Sequence, residues 1–276
     1  MINVIKVNKS FKNNPVLNNI TFHVKKGEIF SLIGPNGAGK TTTLRCIYDE
    51  LTPNSGEIKI MDQHISSKLK EKIAVMPEDR FTFKKFTGTQ YLKIWKLLYT
   101  NFDLEVFNKF LIHYKFNMEQ TIETYSMGMK TLFYLALTIA SNADLLILDE
   151  PTQNLDPVIR YDILNILKNY AIEKGKTIIL SSHEIYELEE ISDSFAIVTE
   201  GKVLYTDTID NAKETHRILN KGEKVEGEVI SSVNEEILVK TTENIGRYPN
   251  FKEISIGYLK QNKTFTPFES TSKKLI

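Results

Sequence analysis

The sequence predicts an α/β fold built on a mainly parallel sheet, and three observations carry that prediction. Short apolar runs alternate with helix-like patterns between residues 28 and 206. One run, Glu28-Ile29-Phe30-Ser31-Leu32-Ile33, opens directly into a glycine-rich turn, Gly34-Pro35-Asn36-Gly37-Ala38-Gly39-Lys40-Thr41-Thr42. A later run, Leu145-Leu146-Ile147-Leu148, ends in two carboxylates, Asp149 and Glu150. A small antiparallel β subdomain, an inserted helical subdomain and a small C-terminal appendage complete the expected architecture.

In chain order, Ile2 to Val7 alternates apolar and polar residues and reads as an edge strand. Asn13-Asn14-Pro15 is a turn, and Leu17, Ile20, Phe22 and Val24 form a second strand of the small sheet. The glycine-rich turn leads into a helix from Thr41 to Tyr48, which Thr52-Pro53-Asn54-Ser55-Gly56 breaks. Gly56–Met61 and Ile73–Met76 are two more strands. From Glu78 to about Tyr125 aromatic residues crowd the chain, with Tyr91, Ile94/Trp95 and Leu98 at helical spacing. The core then resumes. A helix over 127–141 carries an apolar stripe of Leu132, Leu135, Ala136 and Ile139. A helix over 158–174 buries Ile159, Ile163, Ile166/Leu167 and Tyr170 and stops at Gly175. Thr177–Ser181 is a buried strand, and a hairpin turns at Glu200-Gly201. Residues 210–276 read as a small accessory region of β-rich or mixed character with a polar, basic tail at Ser270–Ile276.

Composition is that of an ordinary globular protein, 41% hydrophobic and 25% charged over 276 residues. With 35 basic and 35 acidic side chains, no global charge argues for nucleic acid or an anionic membrane. The single cysteine, Cys46, excludes an internal disulfide and fits a buried apolar role. No run approaches the length of a bilayer span, so the expected setting is cytoplasmic, with any work at a membrane done through a separate partner.

The spacing Gly34, four residues, Gly39-Lys40-Thr41 is that of a phosphate-binding loop, and the strand before and helix after supply its context. Glycines allow consecutive amides to turn inward as an anion cradle, and the helix start adds its dipole. Lys40 would reach the β- and γ-phosphates, and the Thr41 hydroxyl would ligate Mg²⁺. Asp149, delivered to the sheet edge, would hold the Mg²⁺ shell, and Glu150 would polarise the attacking water. Ser126 is a good helix N-cap, and Gly128 permits close approach to its backbone, which by itself describes only a capped helix.

Five stretches in order change that reading: GPNGAGKTT at 34–42, YSMGMK at 125–130, LLILDEP at 145–151, NLDP at 154–157 and SSHE at 181–184. Over about residues 2–208 the chain resembles the nucleotide-binding subunit of an ABC transporter, most closely the exporter-type subunits of the drug- and peptide-resistance kind. The resemblance implies a P-loop nucleotide-hydrolase core at 1–209, with a helical subdomain at about 78–125. It implies that Gly34, Pro35, Asn36, Gly37, Ala38, Gly39, Lys40, Thr41 and Thr42 bind ATP and that Phe11 stacks on adenine. Plain sheet packing is the other use open to Phe11. It further implies catalysis by Glu150, His183 and Lys40, a signature of Ser126 and Gly128 acting in trans, and a D-loop Asp156. Thr41, Asp149 and Glu78 are the implied metal contacts.

Four positions depart from the family pattern. Met127 and Met129 stand where Gly and Gln are common, Asn154 where Gly or Ala is, and Glu78 where a glutamine is usual. The implied cofactors are ATP and Mg²⁺. The implied partners are a second ATP-binding subunit, identical or related, set head to tail, and an integral-membrane permease. The basic, aromatic run of Arg80, Lys84, Lys85, Lys93 and Lys96 among Phe and Tyr could also hold nucleic acid by charge and stacking. Its place after Glu78 favours a protein interface with the permease, and no nucleic acid is expected. A soluble ATPase of the same family acting on ribosome or DNA, or a weakly hydrolysing regulatory subunit, are the alternatives. Neither a second cassette nor a long coiled coil accompanies this one.

Overall fold

The computed structural model describes residues 1–79, 83, 85–233 and 235–260. Arg80, Phe81 and Lys84 of the basic aromatic run, and the tail Ser270–Ile276, lie outside the described residues. The chain divides into two compact units, Met1–Ile209 and Asp210–Ile276.

The first unit runs β1 (Ile2–Phe11), β2 (Asn14–Val24), β3 (Ile29–Ile33), α1 (Lys40–Ile47), β4 (Ser55–Ile60), α2 (Ser67–Lys70) and β5 (Ile73–Met76). Then come α3 (Gly88–Leu98), α4 (Leu104–His113), α5 (Met127–Ala140), β6 (Leu145–Asp149), α6 (Pro157–Lys174), β7 (Thr177–Ser182), α7 (Ile185–Ile191), β8 (Ser194–Thr199) and β9 (Lys202–Thr208). A six-stranded sheet has the order β5-β6-β7-β3-β8-β9. It is parallel except for β9, which returns antiparallel along β8. The turn between them has positive φ at both Glu200 (48°) and Gly201 (72°), the geometry that matches strand twist in a two-residue hairpin.

A separate antiparallel sheet has the order β2-β1-β4. β1 is therefore its middle strand, not the edge strand its alternation suggests. The alternation reports one buried and one solvated face, which central and edge strands share. Only β4, returning after α1, reveals that the other side of β1 is occupied. Ile2, Val4, Ile20 and Phe22 of this sheet share one core with Phe30, Leu44, Ile147, Ile179 and Val198. Fully burying side chains of this size contributes roughly 1.5–3 kcal/mol each before entropy is counted.

α3, α4 and a 3₁₀ turn at Ile122–Thr124 build the inserted helical region. Its centre is Phe133 of α5, fully buried and edge-on to Tyr91, Phe107, Phe116, Tyr125 and Tyr134. Leu98, at helical spacing with that cluster, is instead 57% exposed. α5 has no single apolar stripe, because every residue from Lys130 to Ala140 is buried. Residues on its supposedly outer face are covered by neighbouring elements, which periodicity cannot register. α6 is capped by Asp156 with Pro157 in its first turn and ends at Gly175 with φ 62°. It buries Ile163, Leu164, Leu167 and Ala171, while Ile159, Ile166 and Tyr170 of the expected stripe are half-buried.

The second unit holds α8 (Ile209–Glu214, its first residue still in the first unit), β10 (His216–Asn220), β11 (Glu228–Val233), β12 (Glu236–Lys240) and α9 (Phe251–Lys260). Its strands form an antiparallel sheet of order β10-β12-β11. α9 packs against β11 and β12 through Ile254 and Gly257, and a Cβ on Gly257 would meet Leu238 at 2.3 Å. His216 is fully buried there, bonded to the Ala212 carbonyl and, at 3.0 Å, to the Tyr258 hydroxyl.

Candidate functional site

Parallel register is what assembles the site. β7 lies between β6 and β3, with Asp149 paired to Ser181 and Ile33 paired to Ser182. Three strands thus end at one edge, and the segments that follow them, from Gly34, Glu150 and His183, emerge side by side. This carboxyl edge is where open α/β sheets place ligands.

The loop Gly34–Thr42 is shaped by its glycines for two different reasons. Gly37 and Gly39 have φ of 80° and 103°, which side-chain-bearing residues rarely adopt. Gly34 is needed for close approach, since a Cβ there would lie 2.1 Å from the Val198 carbonyl oxygen. Gly39 also caps α1 without any side-chain bond to the helix start, and no acidic residue lies in the first turn. The first amides of α1 are thereby kept for an anion. Lys40 is 6% exposed and its Nζ donates to the carbonyls of Gly34 at 2.8 Å and Pro35 at 3.3 Å.

Glu150 is the hub of the charged centre. Its Oε1 lies 3.6 Å from Lys40 Nζ, and its Oε2 lies 2.9 Å from Nδ1 of His183. Its backbone φ is 48°, a left-handed conformation that a non-glycine residue adopts only where its surroundings hold it. The Glu150 N–H donates to Ser181 Oγ at 3.0 Å, and the Ser181 hydroxyl donates in turn to Asp149. Asp149 is 4% exposed. Burial raises its pKa, the hydrogen bonds from Ser181 and Thr41 oppose the rise, and the charges of Glu78 and Glu150 add to it. Thr41 Oγ1 also stands 3.3 Å from Glu78 Oε2, so the three expected metal contacts meet in one place. Among the described residues no group of three His, Cys, Asp or Glu side chains is placed to hold a metal unaided. A hydroxyl and two carboxylates are hard oxygen donors suited to an Mg²⁺ whose remaining positions go to phosphate and water.

The remaining expected residues sit apart from this cluster. Phe11 ends β1 and is 43% exposed, with Lys9 Nζ 5.5 Å from its ring centre. Ser126 is exposed and caps α5 by accepting from Met129 N–H at 3.2 Å. Gly128 abuts the segment after Glu150, where a Cβ would meet the Asn154 carbonyl at 3.0 Å. Thr131 Oγ1 adds a bond to the Gln153 carbonyl at 3.1 Å. Asp156 is spent on capping α6, accepting from Val158 and Ile159 N–H. Cys46 is buried in the core, with its thiol pushed up to about 11 by burial. The residue to which the sequence assigns no role is Ser181, which closes the strand Thr177–Ser181 and opens SSHE. A serine directly after the apolar run Ile178-Ile179-Leu180 was the available signal.

A phosphate-binding loop with a buried lysine, facing an acidic strand end and a histidine, defines a nucleoside triphosphatase of the phosphate-loop class. Residues 17–153 match the ABC transporter family. The chain is 30% identical to the ABC transporter ATP-binding protein YtrB of Bacillus subtilis (strain 168), over 78% of this chain and 75% of that protein. It is 33% identical to the Nod factor export ATP-binding protein I of Rhizobium meliloti (strain 1021), over 72% of this chain and 62% of that protein. A solved ATP-binding subunit of an ABC transporter superimposes with a TM-score of 0.70 at 26% identity, covering 77% of this chain and 92% of the other. This chain belongs to the ATP-binding subunits of ABC transporters, and it binds and hydrolyses ATP. Among the described residues, no helix is long and apolar enough to cross a membrane.

Proposed function

We propose that residues 1–209 are the ATP-binding motor domain of an exporter and that two such domains work head to tail beneath a separate permease. The Lys40–Glu150–His183 cluster beside Thr41, Asp149 and Glu78 is the observation that supports this most directly. ATP lies along Gly34–Thr42 with its adenine against the exposed Phe11 ring. Thr41, Asp149 and Glu78 would hold Mg²⁺, which would supply charge neutralisation for phosphoryl transfer. Lys40 leaves the Gly34 and Pro35 carbonyls for phosphate oxygens. Glu150 then accepts a proton from the attacking water, and His183 steadies the γ-phosphate.

Ser126 and Gly128 complete the site of the second copy. Their amides open α5, and among the described residues neither hydrogen-bonds to Gly34–Thr42 of its own chain. Asp156, at the start of α6, lies on the same segment as Asn154, which Gly128 touches. Closure of two copies therefore acts on the signature and the D-loop together. The helical subdomain at about 78–125 receives the permease, which keeps this chain on the cytoplasmic face of the membrane. Residues 210–276 form an accessory region. Export as the direction follows the relative whose name states it.

The test is Glu150→Gln in the full chain, co-expressed with its permease. The variant should bind ATP, accumulate as an ATP-bound dimer and hydrolyse about a hundredfold more slowly or worse, as expected for a lost general base. Turnover like that of the wild type would remove Glu150 from the mechanism.

A further inference from the structure

We infer that Ser181 is a positioning residue for hydrolysis, because its one hydroxyl fixes the Asp149 carboxylate and the Glu150 backbone at the same time. The inference rests on the reading of Glu150 as the group that activates water. Ser181 is 0% exposed and pairs in register with Asp149 across β6 and β7. That pair is the last of its ladder, and the next amide, Glu150 N–H, bonds to a side chain. Ser181 Oγ accepts that bond at 3.0 Å and passes its own proton to Asp149. A hydroxyl has one proton to give and lone pairs to accept with, so the two bonds are compatible and both directions are set. Neither neighbour can turn the hydroxyl round, since an amide only donates and an ionised carboxylate only accepts.

The consequence lies in the Glu150 backbone. A φ of 48° is unfavourable for a glutamate, and the Ser181 bond to the amide helps to hold that turn, together with the bond from Gln153 N–H to the Glu150 carbonyl. The turn carries the carboxylate to 3.6 Å from Lys40 Nζ and 2.9 Å from His183 Nδ1. An apolar residue at 181 would take the Oγ bond from the amide, and a turn that relaxes to reach another acceptor would re-aim the carboxylate. Glu150 touches the water, and Ser181 acts only through it.

The test compares full-length wild type with Ser181→Ala, Ser181→Thr, Glu150→Gln and the Ser181→Ala/Glu150→Gln double variant. ATP affinity, single-turnover hydrolysis and hydrogen exchange at the Glu150 amide are measured on each. Ser181→Ala should bind ATP within about threefold of wild type yet hydrolyse it about tenfold or more slowly, the cost of a misplaced reacting group. Its Glu150 amide should exchange faster, and the substitution should add no loss to that of Glu150→Gln. Ser181→Thr keeps the hydroxyl and should recover the rate to within about threefold. A wild-type rate in Ser181→Ala, with Glu150→Gln slow, overturns the inference and leaves the reading of Glu150 standing. A wild-type rate in Glu150→Gln overturns both. Losses that multiply in the double variant, or a Ser181→Thr as slow as Ser181→Ala, assign the effect to packing and overturn the inference alone.

Discussion

Lys40 and Glu150 face each other at 3.6 Å as a buried ion pair, with side chains 6% and 8% exposed. The cation is also engaged by two carbonyls of its own loop, and the anion by His183. The loop lysine and the strand-end glutamate therefore neutralise one another until a phosphate competes for the lysine. Arrival of the nucleotide should part them and leave Glu150 to the water.

Lys40→Met keeps most of the side-chain volume and removes the charge. It leaves Glu150 buried without its cation, a change of the kind that costs about 3–5 kcal/mol when one partner of a buried pair is lost. The remaining His183 contact should hold the loss nearer the lower figure. Calorimetry should show a lower melting temperature for the nucleotide-free variant, and titration should show ATP affinity reduced about a hundredfold, from the lost charged contacts to phosphate.

Asp149→Asn should separate stability from activity. Burial chiefly raises the Asp149 pKa, so the folded chain holds that proton more tightly than the unfolded chain does. The stability linked to it is complete below the unfolded carboxyl value and is lost as pH rises through the folded value. At pH 7 the buried charge is therefore a burden, and Asn removes it. The nucleotide-free variant should melt above the wild type at pH 7–8, with the gap closing toward about pH 4, where an ordinary aspartate protonates. Hydrolysis should be lost at every pH. Melting curves across that range, with ATPase assays beside them, check both halves.

Glu78→Gln restores the family's usual residue next to Thr41. The carboxylate, 3.3 Å from the Thr41 hydroxyl, adds negative charge at the proposed cation site. Its removal should raise the Mg²⁺ concentration for half-maximal hydrolysis by about three- to tenfold, the effect of one lost charge near a surface. The maximal rate at saturating Mg²⁺ should change less. An Mg²⁺ titration at fixed ATP measures the shift.

Phe133→Ala should cost about 3–5 kcal/mol, as for large-to-small changes at a well-packed aromatic. The ring is 0% exposed and meets five aromatic neighbours edge-on. Urea unfolding followed by tyrosine fluorescence measures the loss. The damage falls on the helical region that carries α3 and α4, so coupling to the proposed permease partner should weaken more than ATP binding.

Much of the site was legible before any coordinates. Gly37 and Gly39 have the positive φ that the loop spacing requires, and Asp149 ends its strand as the apolar run implied. Ser126 and Asp156 cap the helices that their residue types suggest. Those features are local, and local chemistry writes them into neighbouring residues. The centrality of β1, the all-round burial of α5 and the reason for Gly34 were not legible. Each depends on a segment distant in sequence: β4 against β1, covering neighbours around α5, and the Val198 carbonyl against Gly34.

By itself the sequence determined the element types, the phosphate loop and the family, because spacing and residue type carry those without reference to distant contacts. Tertiary structure alone decided which charges meet. Lys40, Glu150 and His183 lie on three separate segments, and only the parallel order with β7 between β6 and β3 brings them together. It also decided that Ser181, an inconspicuous residue in an apolar strand, stands opposite Asp149 with its hydroxyl on the Glu150 amide. Register between strands decides such a contact, and register is a property of the assembled sheet.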